Sequence, residues 1–222
     1  MALVLNIETA TTNCSVSLSK DGETLVLKED NSLGYSHAET LHLFIDEVFK
    51  GLNIKPSGID AVAVSKGPGS YTGLRIGVSS AKGLCFALDK PLIAIDTLES
   101  LAHQVNIKEG FIVAMLDARR MEVYSAIYDA NLEAYRGVEA EILTEKSYSS
   151  LLETNKVYFI GNGVEKTKGL IQHPNAVFIE GKLPSANEMA SLVEFKYKKS
   201  DTEDVAYFEP YYLKDFIALK KA

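Results

Sequence analysis

Apolar and polar positions along the chain fall into two series of the same form. The first opens with LVLNIETA, an apolar run read as a buried strand. CSVSLSKDGETLVLKED then alternates, breaks at Asp21-Gly22 and alternates again, which predicts a hairpin. A helical period follows from His37 to Gly51, with Leu41, Phe44, Ile45, Val48 and Leu52 on one stripe. Ser36 ahead of it and Glu39 three residues on predict a capping box. The strand IDAVAVS, a second helix and the strand PLIAID complete this half. The second series begins at Phe111 with the strand FIVAMLDA, followed by EVYSAIYD and AYRGVEAEI as a strand pair about Asn131. A helix near Ser147 to Glu153, the strand KVYFIGNG, the helix VEKTKGLIQ and the strand AVFIE complete it. Each series puts a carboxylate at the end of its first strand, Glu8 in one and Asp117 in the other.

The second helix is unusual because neither of its sides is built for water. It follows a strand and a loop containing Gly67, Pro68, Gly69 and Gly73, within VAVSKGPGSYTGLRIGVSSAKGLCFAL. At about 100° per residue, Leu74, Val78, Ala81, Cys85 and Leu88 form one stripe. The opposite side holds Ile76, Ser79, Ser80, Gly83, Phe86 and Ala87 without a charge, and Arg75 and Lys82 lie on the border. Small uncharged residues let a second helix approach closely, where a solvated face carries Lys or Glu. Two occupants fit from residues alone: a helix of the same chain, such as the C-terminal one, or another chain. Leu43, on the first helix between Glu47 and Lys50 and away from the core stripe, extends the same surface.

A duplicated β-β-β-α-β-α unit with acids at these points resembles the actin-like, sugar-kinase and Hsp70 superfamily. The resemblance implies an α/β fold of two ribonuclease-H-like domains that close on ATP, with acidic loops of each half gripping phosphate and metal. Residues 1–105 then form the first domain and 106–199 the second, smaller one, with a boundary between Ala102 and Gly110. The final segment, 200–222, is expected to rejoin the first domain, and the helix pattern over 185–198 has the same option.

The candidate phosphate loops are ETATTNC (Glu8–Cys14) and DARRMEV (Asp117–Val123). Neither has the glycine that lets backbone N–H groups approach an anion. Arg119 and Arg120 have the charge to meet a phosphate but occupy the place of a tight turn, and Thr9, Thr11 and Thr12 offer hydroxyls that equally cap a turn. GPGSYTG lacks the Gly-Lys-Ser/Thr ending of a Walker loop. Gly161 and Gly163 of FIGNG fit either an adenosine cradle or an ordinary strand-to-helix turn. Glu8, Thr9, Asp117, Arg119, Gly161 and Gly163 are therefore candidates for a vestigial nucleotide site in a catalytically degenerate pair of domains. His37 and His42, five apart on a helix, point about 140° from one another rather than to one metal. Glu39 between them does not make HExxH, and His103 and His173 are isolated. There is no GxSxG, and neither cysteine has a neighbouring activator. No catalytic and no metal-ligating residue is assigned.

Composition narrows the partners. A net charge of -7 over 222 residues, 24% of them charged, argues against holding nucleic acid through phosphates. No apolar run reaches the roughly 20 residues that cross a bilayer, and MALVLNIETA has no basic leader. Cys14 and Cys85 read as buried free thiols of a reducing compartment, so a cytoplasmic location without membrane contact is expected.

LNIETAT…CSVSL, SHAETL, VAVSKGPGSYTGLRIGVSSAKGL, LDARRMEVY, FIGNG and the closing EPYYLK resemble the TsaB family, also called YeaZ, over nearly the whole chain. The last motif departs only in Lys214, where members often carry arginine. The resemblance implies a catalytically silent relative of TsaD, which transfers a threonylcarbamoyl group to the adenosine beside the anticodon of certain tRNAs. TsaD-type proteins bind metal with a histidine pair, which this chain lacks. It further implies a TsaD-type partner docked on helices near Ser36–Leu52 and Thr72–Leu88, through Leu43, Ile76, Ser79, Ser80, Gly83 and Ala87. A homodimer through the same surface when alone, a TsaE-type ATPase in the complex, and ATP or ADP only at a composite subunit interface complete the expectation. A stand-alone small-molecule kinase or ATPase of the actin-like fold is the alternative; a peptidase has the least support.

Overall fold

The computed structural model describes residues 2–31 and 37–214. Its first lobe contains β1 (Leu3–Glu8), β2 (Cys14–Lys20), β3 (Glu23–Asp30), α1 (His37–Gly51), β4 (Ala61–Gly67), α2 (Tyr71–Leu88) and β5 (Leu92–Asp96). After α3 (Thr97–Ala102), the second lobe runs through β6 (Phe111–Asp117), β7 (Glu122–Asp129), β8 (Ala134–Ile142), α4 (Ser149–Leu152), β9 (Val157–Ile160), α5 (Val164–Leu170) and β10 (Ala176–Ile179), and α6 (Met189–Lys198) follows. The sheets have strand orders β3-β2-β1-β4-β5 and β8-β7-β6-β9-β10, the same topology twice. In each, three antiparallel strands are followed by two parallel ones that need helical crossovers. This is the α/β actin-like fold expected from the repeat.

The hairpin between β2 and β3 turns at Asp21 and Gly22, both at positive φ (55° and 82°), as a two-residue turn demands. Ser36, the expected cap of α1, lies outside the described residues, as do 215–222 of the closing segment.

Each sheet is covered on both faces. One side of the first sheet packs Leu5, Ile7, Val16 and Val64 against Leu41, Ile45 and Val48 of α1 and Val78, Ala81 and Cys85 of α2. Its other side packs Val4, Ala63, Ile93 and Ile95 against Met189 and Val193 of α6. The division at 106–199 is thereby corrected: α6 belongs with the first sheet. Its apolar stripe has a ready partner there, since Ala61 and Ala63 alternate with residues facing the α1/α2 side. The second sheet likewise buries α4 and α5 on one side and Leu98 and Leu101 of α3 on the other. The last helix of each series thus packs on the other lobe's sheet. The two crossings between the lobes touch where the Gln104 side-chain amide donates to the Leu183 carbonyl at 2.7 Å. None of the described helices is long and apolar enough to cross a membrane.

Candidate functional site

In the first lobe the acid that ends β1 is fully buried. One Glu8 carboxyl oxygen accepts from the Ser65 hydroxyl at 2.8 Å and from the Ala10 N–H at 2.6 Å, while Oε2 has no partner. Burial pushes its pKa up to about 7 from the ordinary 4.5, against the lowering effect of the Ala10, Ser65 and Thr9 hydrogen bonds. Glu8 is therefore held partly protonated at neutral pH, a poor anchor for a metal or a phosphate-bound cation.

The glycines of the GPGSYTGLRIG segment explain why the loop beyond Glu8 is closed. A Cβ at Gly73 would lie 2.1 Å from the Thr9 carbonyl oxygen, and one at Gly77 2.3 Å from the Thr9 hydroxyl. That hydroxyl donates to the Gly73 carbonyl at 2.8 Å. The Ser70 side chain caps α2 by accepting from the Gly73 N–H at 3.2 Å, and the Ser70 N–H donates to the Ala10 carbonyl at 2.7 Å. The first turn of α2 therefore lies directly on residues 9–10, and its Gly73 N–H is taken up by the Ser70 cap. His37, buried at the start of α1, bonds the Thr11 carbonyl through Nε2 at 2.7 Å. His42 instead faces Ser80 at 3.5 Å, so the two histidines serve different contacts. Among the described residues there is no group of three or more His, Cys, Asp or Glu able to hold a metal ion.

The second lobe fills the equivalent position differently. Asp117 Oδ1 accepts from the Arg119 N–H at 2.6 Å and from Lys166 Nζ at 2.7 Å. Lys166 also donates to the Arg120 and Glu122 carbonyls at 2.8 and 2.9 Å. Arg119 and Arg120 both adopt positive φ, 70° and 50°, which forms the tight β6–β7 turn without glycine and leaves both residues exposed. Gly161, at φ 111°, passes so close to β6 that a Cβ would lie 2.0 Å from the Met115 carbonyl oxygen. A Cβ at Gly163 is tight but compatible, 3.0 Å from Val123. The FIGNG turn is thus a backbone-packing feature against β6. Lys166, Ser65 and Ser70 were not singled out by sequence, because their partners lie 49, 57 and 60 residues away. Among the residues considered for nucleotide, Glu8, Thr9, Asp117 and Gly161 are engaged by the chain's own groups, while Arg119 is exposed.

The outward side of α2 has the opposite character. Ser79, Gly83, Phe86 and Ala87 are exposed, Phe86 at 87%. A Cβ at Gly83 would meet nothing within 4 Å. Ile76 and Ser80 are half-buried, Ile76 against the core below and Ser80 beside His42 of α1. Leu43 on α1 is 61% exposed. Among the described residues the last helix, α6, does not cover this surface, because it lies across the sheet from α2. Cys85, on the buried stripe, has its thiol pushed up to about 11 by burial and is inert.

Comparison with known proteins gives one consistent family. The sequence model described as "TsaD: tRNA N6-adenosine threonylcarbamoyltransferase" matches residues 33–222. The tRNA threonylcarbamoyladenosine biosynthesis protein TsaB of Escherichia coli (strain K12) is 29% identical, over 98% of this chain and 97% of its own length. That of Bacillus subtilis (strain 168) is 28% identical over 95% of this chain and 93% of its own. The solved structure of YeaZ from Pseudomonas aeruginosa superposes with a TM-score of 0.80 at 27% identity, covering 96% of this chain and all of that one. A tRNA N6-adenosine threonylcarbamoyltransferase of Staphylococcus haemolyticus is 34% identical, but over only 48% of this chain and 36% of its own length.

Proposed function

Because the chain belongs to the TsaD family and corresponds end to end to its TsaB (YeaZ) members, we propose that it serves tRNA threonylcarbamoyladenosine biosynthesis as a non-catalytic docking subunit for a TsaD-type transferase. The carrying observation is the open, uncharged, small-residue face of α2 beside Leu43 of α1. Ser79, Gly83 and Ala87 let a partner helix approach at backbone distance, and Phe86 and Leu43 supply apolar area at the edges. A specific interface buries about 1,600 Å² in total, and two helices of 15 and 18 residues can supply much of one side. In the absence of the transferase the same face pairs two copies of this chain, and a TsaE-type ATPase joins the assembled complex in the cytoplasm. A buried Glu8, a Thr9 loop pressed onto α2 and an Asp117 held by Lys166 support a silent cleft. ATP or ADP then binds only where the partner completes a composite site.

Gly83→Arg tests this reading. The new side chain has free space in the isolated chain, but it would fill the gap between docked helices with an uncompensated charge. Size-exclusion chromatography with the transferase should show the complex lost, while the variant alone keeps the far-UV circular dichroism of the parent. An undisturbed complex overturns the docking face. Brisk ATP turnover by the purified chain would instead favour the stand-alone kinase or ATPase.

A further inference from the structure

Beyond α6 the chain follows a path that joins the two lobes at a place remote in sequence from their covalent crossings. The Glu203 N–H donates to the Leu92 carbonyl at 2.8 Å, extending the edge of the first sheet. Val205 and Phe208 pack on the α1/α2 core. Lys82 of α2 donates to the Ala206 and Phe208 carbonyls at 3.2 and 2.8 Å. The Tyr211 N–H then donates to the Lys66 carbonyl at 2.7 Å, and a Cβ on Gly67 would lie 2.8 Å from the Tyr211 carbonyl oxygen. The Tyr212 ring lies 5.2 Å from that of Tyr71, and its hydroxyl accepts from Arg75 Nε at 3.1 Å. Arg75 in turn stacks its guanidinium 4.1 Å over the Tyr71 ring. Two residues later, Lys214 pairs with Glu122 of the second lobe. Glu122 begins β7, and its carbonyl is one of those gripped by Lys166 in the turn that holds Asp117.

We infer that the segment 209–214 is a latch that holds the two lobes at one spacing, anchored on the N-terminal half of α2 and the end of β4 in one lobe and on Glu122 in the other. The crossings at Gln104 and Leu183 supply a hinge, and a hinge alone leaves the lobes free to open as in other two-lobed folds. A second tether at Glu122 opposes that opening and narrows its range. Its first-lobe anchorage is the stronger end: a backbone hydrogen bond, a ring contact and the Arg75–Tyr212 hydrogen bond precede a single exposed ion pair. The latch therefore releases at Lys214 first. This inference does not depend on what covers the outward face of α2.

Distance measurement by pulsed electron spin resonance tests it on the full chain, with spin labels on Lys55→Cys in the first lobe and Glu153→Cys in the second, both exposed. The native Cys14 and Cys85 are buried and stay unlabelled. The intact chain should give one narrow distance distribution. Ending the chain after Phe208, which keeps the packed Val205 and Phe208, should broaden it about twofold by freeing the hinge. Tyr212→Ala combined with Lys214→Ala, in the otherwise full-length chain, should broaden it in the same direction. If the shortened chain keeps its circular dichroism and its distribution matches that of the parent, the latch is refuted. Should the shortened chain fail to fold, the double variant decides: broadening supports the latch and an unchanged distribution refutes it.

Discussion

Glu8 and Asp117 end the first strands of two sheets with identical strand order, yet their surroundings have little in common. Glu8 is sealed beneath the first turn of α2, where the Ser65 hydroxyl and the Ala10 N–H share one oxygen and the other is unpaired. Asp117 is half exposed and held from the side by Lys166. In the first lobe, close backbone packing closes the loop: Gly73 and Gly77 admit residue 9 against a helix. In the second, a lysine fills the place beside the acid while Gly161 presses the following turn against β6. Topology dictates where an acid stands. The residues around it, many of them far off in sequence, decide whether it faces a ligand or the protein's own interior.

The most forceful way to break this comparison is to disturb the close approaches. Gly73→Ala places a methyl 2.1 Å from a backbone oxygen, and Gly161→Ala places one 2.0 Å from another while also straining φ 111°. Neither contact can be relieved by a side-chain rotation, so each variant should lose about 3 kcal/mol or more, which is roughly 10 °C in melting temperature for a chain of this size. Thermal unfolding followed by circular dichroism measures it. A melting temperature within a degree or two of the parent in either variant would mean that the loop of that lobe is not packed shut.

Next in size is a pH effect confined to the first lobe. Glu8 ionises near 4.5 when unfolded and at about 7 when folded. Between those values the unfolded chain gives up a proton that the folded chain retains, so this group makes stability fall as pH rises from about 4.5 to about 7. The loss reaches about 3 kcal/mol and is constant above that window. Glu8→Gln should remove this part of the slope, seen in denaturant midpoints taken across the window. An unchanged slope would show that Glu8 is not sealed in the way its hydrogen bonds indicate.

Much of this architecture was legible in the sequence, and its gaps have a common cause. Strands, the Asp21-Gly22 turn and both acids were readable because alternation and turn chemistry are local signals. The uncharged side of α2 was readable because helical period alone separates Leu74, Val78 and Cys85 from Ser79 and Gly83. The home of α6 was not, since its stripe fits either sheet and only Ala63, Ile93 and Ile95 across the fold select one. Gly161 left two readings open because the deciding atom, the Met115 carbonyl oxygen, is 46 residues upstream. Thr9 left two readings open, a ligand hydroxyl or a turn cap, for the same reason: its hydroxyl reaches 64 residues along the chain to Gly73.

A smaller effect sharpens the second-lobe half of the comparison. Lys166→Ala removes three contacts at once, to Asp117 and to the Arg120 and Glu122 carbonyls. With Asp117 half exposed, the loss should be only about 1 kcal/mol. Its sharper mark should be faster amide exchange across the 118–122 turn, where Arg119 and Arg120 hold positive φ against their preference. Protection unchanged in that turn would show that Lys166 does not brace it.

Gly83→Ala should produce the smallest change, and of opposite sign to Gly73→Ala ten residues earlier in the same helix. At Gly83 the added methyl meets nothing within 4 Å and φ is not in the left-handed region. Alanine there relieves the helix of glycine's backbone freedom and contributes about 0.5–1 kcal/mol of stability, a rise of roughly 2–3 °C. One helix would then carry a glycine that cannot accept a methyl and another that gains from one. Steric need explains the first. For the second the isolated fold supplies no reason to keep glycine, and the requirement moves to whatever approaches from outside. A melting temperature that falls in Gly83→Ala would mean that an internal contact explains this glycine, and the contrast between the two halves of α2 would disappear.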